Sequence, residues 1–300
     1  MERIWGGRKL ETLYGKKIPP GKRIGESWEI VDRPEAQSIV QDGPLAGRSL
    51  HNLWANFRRE VFGRVPDSPR FPLLIKLLDC REKLSLQVHP PPDVANALGG
   101  EPKTEAWFIA DAMPDAELYL GLREPMEPQR FEAALNSGSA AELVQRLHVK
   151  TGDAFLIPSG RMHAIGGGAV IVEVQENSDT TYRVFDWNRV DEAGRGRELH
   201  IAQAMRCIDF GDCNPAPIAA EGESLVSQDS FAINRWRIQS QRELAPLGTF
   251  AIACCLAGKI ECAGSSFHAG EFFLLPAAVS TRVVRNLDST SELLRITVPP

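Results

Sequence analysis

The sequence predicts a mainly β protein, built from two related β-units with a few helices at their periphery. Most apolar stretches are short and bounded by proline or glycine, 21 and 25 residues of the 300, which is the pattern of many short strands joined by turns. Several of these stretches alternate strictly between apolar and polar residues, as half-buried strands do. One strand signature occurs twice. Gly152-Asp153-Ala154-Phe155-Leu156-Ile157-Pro158-Ser159-Gly160 is echoed by Gly270-Glu271-Phe272-Phe273-Leu274-Leu275-Pro276-Ala277-Ala278, each entered through glycine and an acid and left through proline. The first copy continues to His163, where the second has Thr281. Only the first unit is therefore expected to keep a metal ligand at that place.

Helices are few. Ser49 to Phe62 carries Leu50, Leu53, Trp54, Phe57 and Val61 at three-to-four spacing and is stopped by Gly63. Pro92 to Leu98 reads as one short helix before Gly99, Pro128 to Leu147 as a helical hairpin broken at Asn136 to Gly138, and Ile201 to Ile208 as a further helix. All are expected to pack on the outside of a sheet. Gly211 to Ser227 has the Pro, Ala, Gly, Glu and Ser composition of a linker. The expected organisation is a metal-binding domain with peripheral helices at residues 1–212, a linker at 213–227 and a degenerate C-terminal β domain at 228–300.

Composition narrows the function classes. With 43% hydrophobic and 24% charged residues the chain reads as a soluble globular protein. It has no apolar leader core at its start and no apolar run near the roughly 18 residues of a membrane span. A cytoplasmic protein without a membrane partner is expected. The formal net charge of −5 argues against nucleic acid as the main partner. Six cysteines include no C-x-x-C pair, so reduced thiols partly in a core are expected.

The chemistry concentrates in three places. In Lys83-Leu84-Ser85-Leu86-Gln87-Val88-His89-Pro90, Leu84, Leu86 and Val88 fall on one strand face, and Ser85, Gln87 and His89 on the other. Gln87 and His89 can thus offer an oxygen and an imidazole nitrogen to one ion. Downstream, Lys103-Thr104-Glu105 opens an apolar strand with a carboxylate as a third candidate ligand. The third place is the strand Ala154 to Ile157 and the turn Pro158-Ser159-Gly160, which delivers His163. A strand ending in such a turn before a histidine resembles the second metal motif of cupin barrels. Two imidazoles, a carboxylate and an amide oxygen suit zinc with an open position, or a harder divalent ion. Beyond them, Ile171, Glu173 and Gln175 share a face, as do Arg183, Phe185, Trp187 and Arg189 if the chain stays extended. Two guanidinium groups on one face need solvent, acids or an anionic ligand as partners.

Taken together, several stretches resemble class I mannose-6-phosphate isomerases, particularly the shorter bacterial form. They are Ile4-Trp5-Gly6-Gly7, Gly25-Glu26-Ser27-Trp28, Phe71 to Lys76, Leu84 to Pro90, Lys103-Thr104-Glu105, Pro158 to Gly166 and Gln175 to Arg189, spread over the first two-thirds of the chain. The resemblance implies a cupin fold of jelly-roll units and one zinc ion held by Gln87, His89, Glu105 and His163. It also implies an active-site arginine at Arg183, a substrate-facing lysine at Lys103, and Ser85 near a substrate phosphate. The implied reaction interconverts mannose 6-phosphate and fructose 6-phosphate through an enediolate. Glu173 is the first candidate for the base, with metal-bound hydroxide or Lys103 as alternatives, and Arg189 is a further candidate for substrate binding. The competing readings are a non-catalytic cupin sugar sensor and an iron-dependent cupin oxygenase.

Overall fold

The computed structural model describes residues 1–190 and 193–299. The chain opens with β1 (Glu2–Gly7), α1 (Lys9–Tyr14), β2 (Glu26–Ile30), the small hairpin β3 (Asp32–Arg33) and β4 (Ala36–Gln37), then α2 (Leu50–Asn56) and α3 (Arg58–Phe62). A first set of eight strands follows. It comprises β5 (Leu73–Cys80), β6 (Leu86–Val88), β7 (Glu105–Ala112), β8 (Glu117–Leu122), β9 (Val144–His148), β10 (Ala154–Ile157), β11 (His163–Ile165) and β12 (Ala169–Glu176). Three helices sit among or after these strands: α4 (Pro92–Ala95), α5 (Pro128–Ser137) and α6 (Ile201–Cys207). After β13 (Tyr182–Phe185) and β14 (Ser224–Ser227) comes a second set: β15 (Ala232–Ile238), β16 (Gln241–Glu243), β17 (Ala251–Ala257), β18 (Lys259–Cys262), β19 (Ser265–His268), β20 (Phe272–Leu275), β21 (Val283–Asn286) and β22 (Ser291–Thr297).

The two sets share one topology. One sheet runs β1-β5-β12-β7-β10 and its counterpart β14-β15-β22-β17-β20; the other runs β13-β6-β11-β8-β9, with the counterpart β16-β21-β18-β19. In each set, therefore, the first, eighth, third and sixth strands make one sheet and the second, seventh, fourth and fifth make the other. This is a repeated two-sheet jelly-roll arrangement, cupin-like in both copies. The echoed segments are the sixth strands, β10 and β20. They pair with the third strands in matching register, Ile157 opposite Glu105 and Leu275 opposite Ala251. An alanine thus stands where the first set has its carboxylate. Beside Thr281, the buried Arg282 guanidinium donates to the carbonyls of Ala245, Pro276, Ala277, Val279 and Thr249. Among the described residues, the second set holds no group of acidic, histidine and cysteine side chains suited to a metal.

Contacts group the chain into two compact units. Residues 1–8, 18–27 and 76–217 form one, and residues 9–17, 28–75 and those from 218 onward form the other. Thus 9–17 and 28–75 cluster with the C-terminal strands, a grouping that a contiguous division at 1–212, 213–227 and 228–300 does not contain. Within the first unit, Leu78, Trp107, Ile109, Phe155 and Ile171 from one sheet meet Leu118, Leu120 and Ile165 from the other. Leu86 and Val88 point the opposite way, into a layer with Phe131 and Ala134 of α5 and Ala204 and Cys207 of α6. Those two helices cover the outside of a sheet, as expected. The alternation of β6 is what turns Gln87 inward.

Three expectations are corrected in detail. The second arm of the hairpin at Pro128 to Leu147 is a strand. Gly138, with φ 76°, caps α5, and Val144 to His148 then pair with β8, because pairing along that edge satisfies their backbone and buries Val144, which outweighs local helical propensity. The helix at Ser49 to Phe62 divides at Phe57, whose φ of −131° leaves the helical region. The extended segment carrying Arg183 ends at Phe185. Trp187 and Asn188 adopt φ of 57° and 54°, so Arg189 does not lie on the strand face of Arg183.

Candidate active site

Three strands and two turns deliver the site. Glu105 is the first residue of β7 and His163 the first of β11, while His89 follows β6 directly. Gln87 lies on an interior strand of its sheet, opposite His163 on one side and Arg183 on the other. The Pro158-Ser159-Gly160 turn supports His89 from behind. Gly160 takes φ 89°, open to glycine without strain, and its N–H donates to the His89 carbonyl at 2.9 Å.

The imidazoles are set by their outer nitrogens. His89 Nδ1 lies 2.9 Å from the Thr180 carbonyl and His163 Nδ1 2.9 Å from that of Arg161. A carbonyl only accepts, so each Nδ1 carries the proton and each Nε2 turns a lone pair inward. Those lone pairs converge on Glu105, with His89 Nε2 3.4 Å from Oε2 and His163 Nε2 3.6 Å from Oε1. The Gln87 amide lies 3.2 Å from His163 Nε2. All three of His89, Glu105 and His163 are buried.

Charge is strongly perturbed here. Burial, then Lys103, pushes His89 down to about 4, and burial likewise lowers His163. Both rings are therefore neutral near pH 7. Burial pushes the Glu105 carboxyl up, but the Lys103 ammonium beside it outweighs this and holds it well below the usual carboxylate range. Lys103 Nζ stands 2.8 Å from Glu105 Oε2. Burial opposes its ammonium, and Glu105 followed by Glu173 reverses this and raises it above the ordinary lysine value.

The buried His89 Nε2 and Glu105 Oε1 have no hydrogen-bond partner. Leaving such atoms unanswered costs about 1–3 kcal/mol each, more for charged groups. Two neutral imidazole nitrogens and a carboxylate, mutually within 4.8 Å, could hold a metal ion. The donor set and the orphaned atoms fit a divalent cation.

The sequence resembles known proteins along nearly its whole length. A probable mannose-6-phosphate isomerase of Bacillus subtilis is 37% identical over 289 residues, covering 92% of this chain and 90% of the relative. The chain belongs to the type I phosphomannose isomerase family. The family model described as the phosphomannose isomerase type I catalytic domain matches residues 1–106. A mannose-6-phosphate isomerase of Streptococcus mutans is 36% identical, over 93% of this chain and 91% of the relative. The crystal structure of mannose 6-phosphate isomerase from Bacillus subtilis superposes with a TM-score of 0.87 at 34% identity, covering 99% and 96% of the two chains. A structure described as a putative mannosephosphate isomerase from Archaeoglobus fulgidus has a TM-score of 0.80 at 22% identity, a likeness of fold.

Membership of this isomerase family makes the protein an enzyme. The segment matched by the family model contains Ser85, Gln87, His89, Lys103 and Glu105; His163, Glu173 and Arg183 lie beyond it. The structure brings Gln87, His89, Glu105, His163 and Lys103 together. Arg183 sits on the far side of Gln87, where its Nε donates to Ser85 Oγ at 3.3 Å and its Nη1 to the Glu198 carbonyl at 2.8 Å. Glu173 is buried, with Oε1 3.0 Å from Lys76 Nζ and Oε2 accepting from Trp107 Nε1 at 3.2 Å. Arg189 commits its donors to Asp186 and to the Lys83 carbonyl. Lys76 and Trp107 carry no local sequence signal of a site. Each sits in an apolar run, and only the fold shows that both face Glu173.

Proposed function

We propose that this enzyme interconverts mannose 6-phosphate and fructose 6-phosphate through an enediolate, at a zinc site made by Gln87, His89, Glu105 and His163. The observation that carries the proposal is the buried Lys103 ammonium beside Glu105 and the two inward lone pairs. A cation fixed there can meet negative charge that develops on a substrate oxygen during turnover, which a sensor without turnover does not generate. When bound, the divalent ion supplies Lewis acidity at the sugar oxygens.

The rest is done by side chains. Lys103 meets the negative charge that develops on oxygen as a carbon-bound proton leaves, in surroundings where a fixed charge is worth far more than in water. Glu173 takes the proton from one carbon and returns it to its neighbour, its carboxylate oriented by Lys76 and Trp107. Arg183, half-buried beside Ser85, grips the phosphoryl group with charge-assisted hydrogen bonds. That grip fixes the open-chain sugar against the reacting end. Arg189 shapes the rim of the phosphate side. Chemistry is assigned to the domain at 1–212, and none to the unit at 228–300.

Turnover in deuterated water tests the route. Proton transfer through an enediolate places solvent deuterium on C1 of the fructose 6-phosphate formed. Complete retention of the substrate hydrogen would point to a hydride shift instead.

A further inference from the structure

Residues 186–189 form a turn to which the proposed chemistry gives no role beyond the rim assigned to Arg189, yet it is built under strain. Trp187 and Asn188 are both left-handed, at φ 57° and 54°, and for a tryptophan this is a strained backbone conformation. Such a conformation persists only where surrounding contacts over-determine it. Here they do. Trp187 Nε1 donates to the Leu84 carbonyl at 2.6 Å, Arg189 Nη1 donates to the Lys83 carbonyl at 2.5 Å, and the Lys83 ammonium lies 4.8 Å from the Trp187 ring. At the centre is the buried Asp186 carboxylate, which accepts from Arg189 and, at 2.7 and 2.5 Å, from Nε and Nη2 of Arg197.

These attachments run to both flanks of Arg183. Residues 83 and 84 lead directly into Ser85, which accepts from Arg183 Nε. On the other flank, Arg197 precedes Glu198, whose carbonyl accepts from Arg183 Nη1. His200 closes that side, accepting from the Arg183 N–H at 3.2 Å and donating its own N–H to the Arg183 carbonyl at 2.7 Å. Among the described residues, Arg183 Nη2 has no hydrogen-bond partner.

We propose that Asp186 is a positioning residue for anion binding: by clamping Arg189 and Arg197 it holds Ser85 and the guanidinium of Arg183 at a fixed separation for a phosphoryl group. This rests on the assignment of Arg183 and Ser85 to the phosphate end of the substrate.

The test uses the metal-loaded protein and inorganic phosphate as a competitive inhibitor. Asp186→Asn keeps the side chain's volume and removes its charge. The phosphate inhibition constant and the KM are expected to rise together by roughly tenfold, with kcat and metal content near the parent's. Arg197→Met, which removes one partner from a side chain about one-third exposed, should shift both constants in the same direction by less. It also gives the reading if Asp186→Asn does not fold. Unchanged phosphate inhibition in the folded variants, or a fall in kcat accompanied by metal loss, would overturn the proposal. Arg183→Ala is measured in parallel. Weakened phosphate inhibition there, with none in the Asp186 and Arg197 variants, would defeat the clamp alone. Unchanged inhibition in Arg183→Ala would defeat the phosphate assignment and the clamp with it.

Discussion

Glu105 is the residue on which the site turns, because it faces both imidazoles and Lys103 at once. Removing its charge strands a buried ammonium, and breaking a buried pair in this way typically costs about 3–5 kcal/mol. Glu105→Ala is therefore expected to lose metal and also to unfold at clearly lower denaturant than His89→Ala or His163→Ala, which lose metal alone. Metal analysis and urea unfolding of the three variants check this, and equal stability among them would contradict it. Lys103 and Arg183 are expected to separate by kinetics. Lys103→Ala should lower kcat on the order of 10² to 10³-fold, about 2–4 kcal/mol of transition-state stabilisation, whereas Arg183→Ala should chiefly raise KM. His89, Glu105 and His163 were legible because each sits at a strand edge beside a turn, where a polar residue interrupts an apolar pattern. Lys76 was not legible. It follows four apolar residues in Phe71 to Ile75, and nothing local shows that its partner is Glu173, distant in sequence.

At the scale of elements, short helices and tight turns carry identifiable local energies. Ser49 Oγ accepts from the Asn52 N–H at 3.1 Å and caps α2. Ser49→Ala should cost about 1 kcal/mol, read from a denaturation midpoint with metal content unchanged. Gly63, with φ 71°, admits no side chain, since a Cβ there would stand 2.1 Å from the Gly248 carbonyl oxygen. Its role as a helix stop was readable, but the close backbone approach was not, because Gly248 is remote in sequence. The same limit explains β9. Val144 to His148 fit either a helix or a strand locally, and the free edge of β8 decides. The repeat was more legible than any single helix, because one Gly-acidic-strand-proline signature recurs with the same pairing in both sheets.

For the whole molecule, buried histidines couple stability to pH. In the metal-free protein, His89 accepts a proton only near about 4, against about 6.5 in an unfolded chain. Between these values the unfolded state binds more protons, so stability falls as pH falls through the window, by up to about 3 kcal/mol, and is flat above it. Urea unfolding from about pH 7 to about pH 4.5 should show this slope, and His89→Asn should make it shallower, leaving the part that the buried His163 contributes. Metal binding adds stability in the same direction, since the ion competes with protons for the same nitrogens. That the group suited to a metal lies in the first β-unit, and none among the described residues of the second, was visible in the sequence as His163 against Thr281. The assembly of each unit from non-contiguous pieces was not, because composition marks linkers and says nothing about which distant segments cluster.

If a divalent ion at His89, Glu105 and His163 serves sugar-phosphate isomerisation, metal and activity must be lost and regained together. The most direct measurement is metal content and mannose 6-phosphate isomerisation on the same sample, before chelation, after it, and after zinc is restored. One ion per chain, loss of activity in step with loss of metal, and recovery of both are expected. Full isomerisation by the metal-free protein, or full metal content in both His89→Ala and His163→Ala, would contradict this.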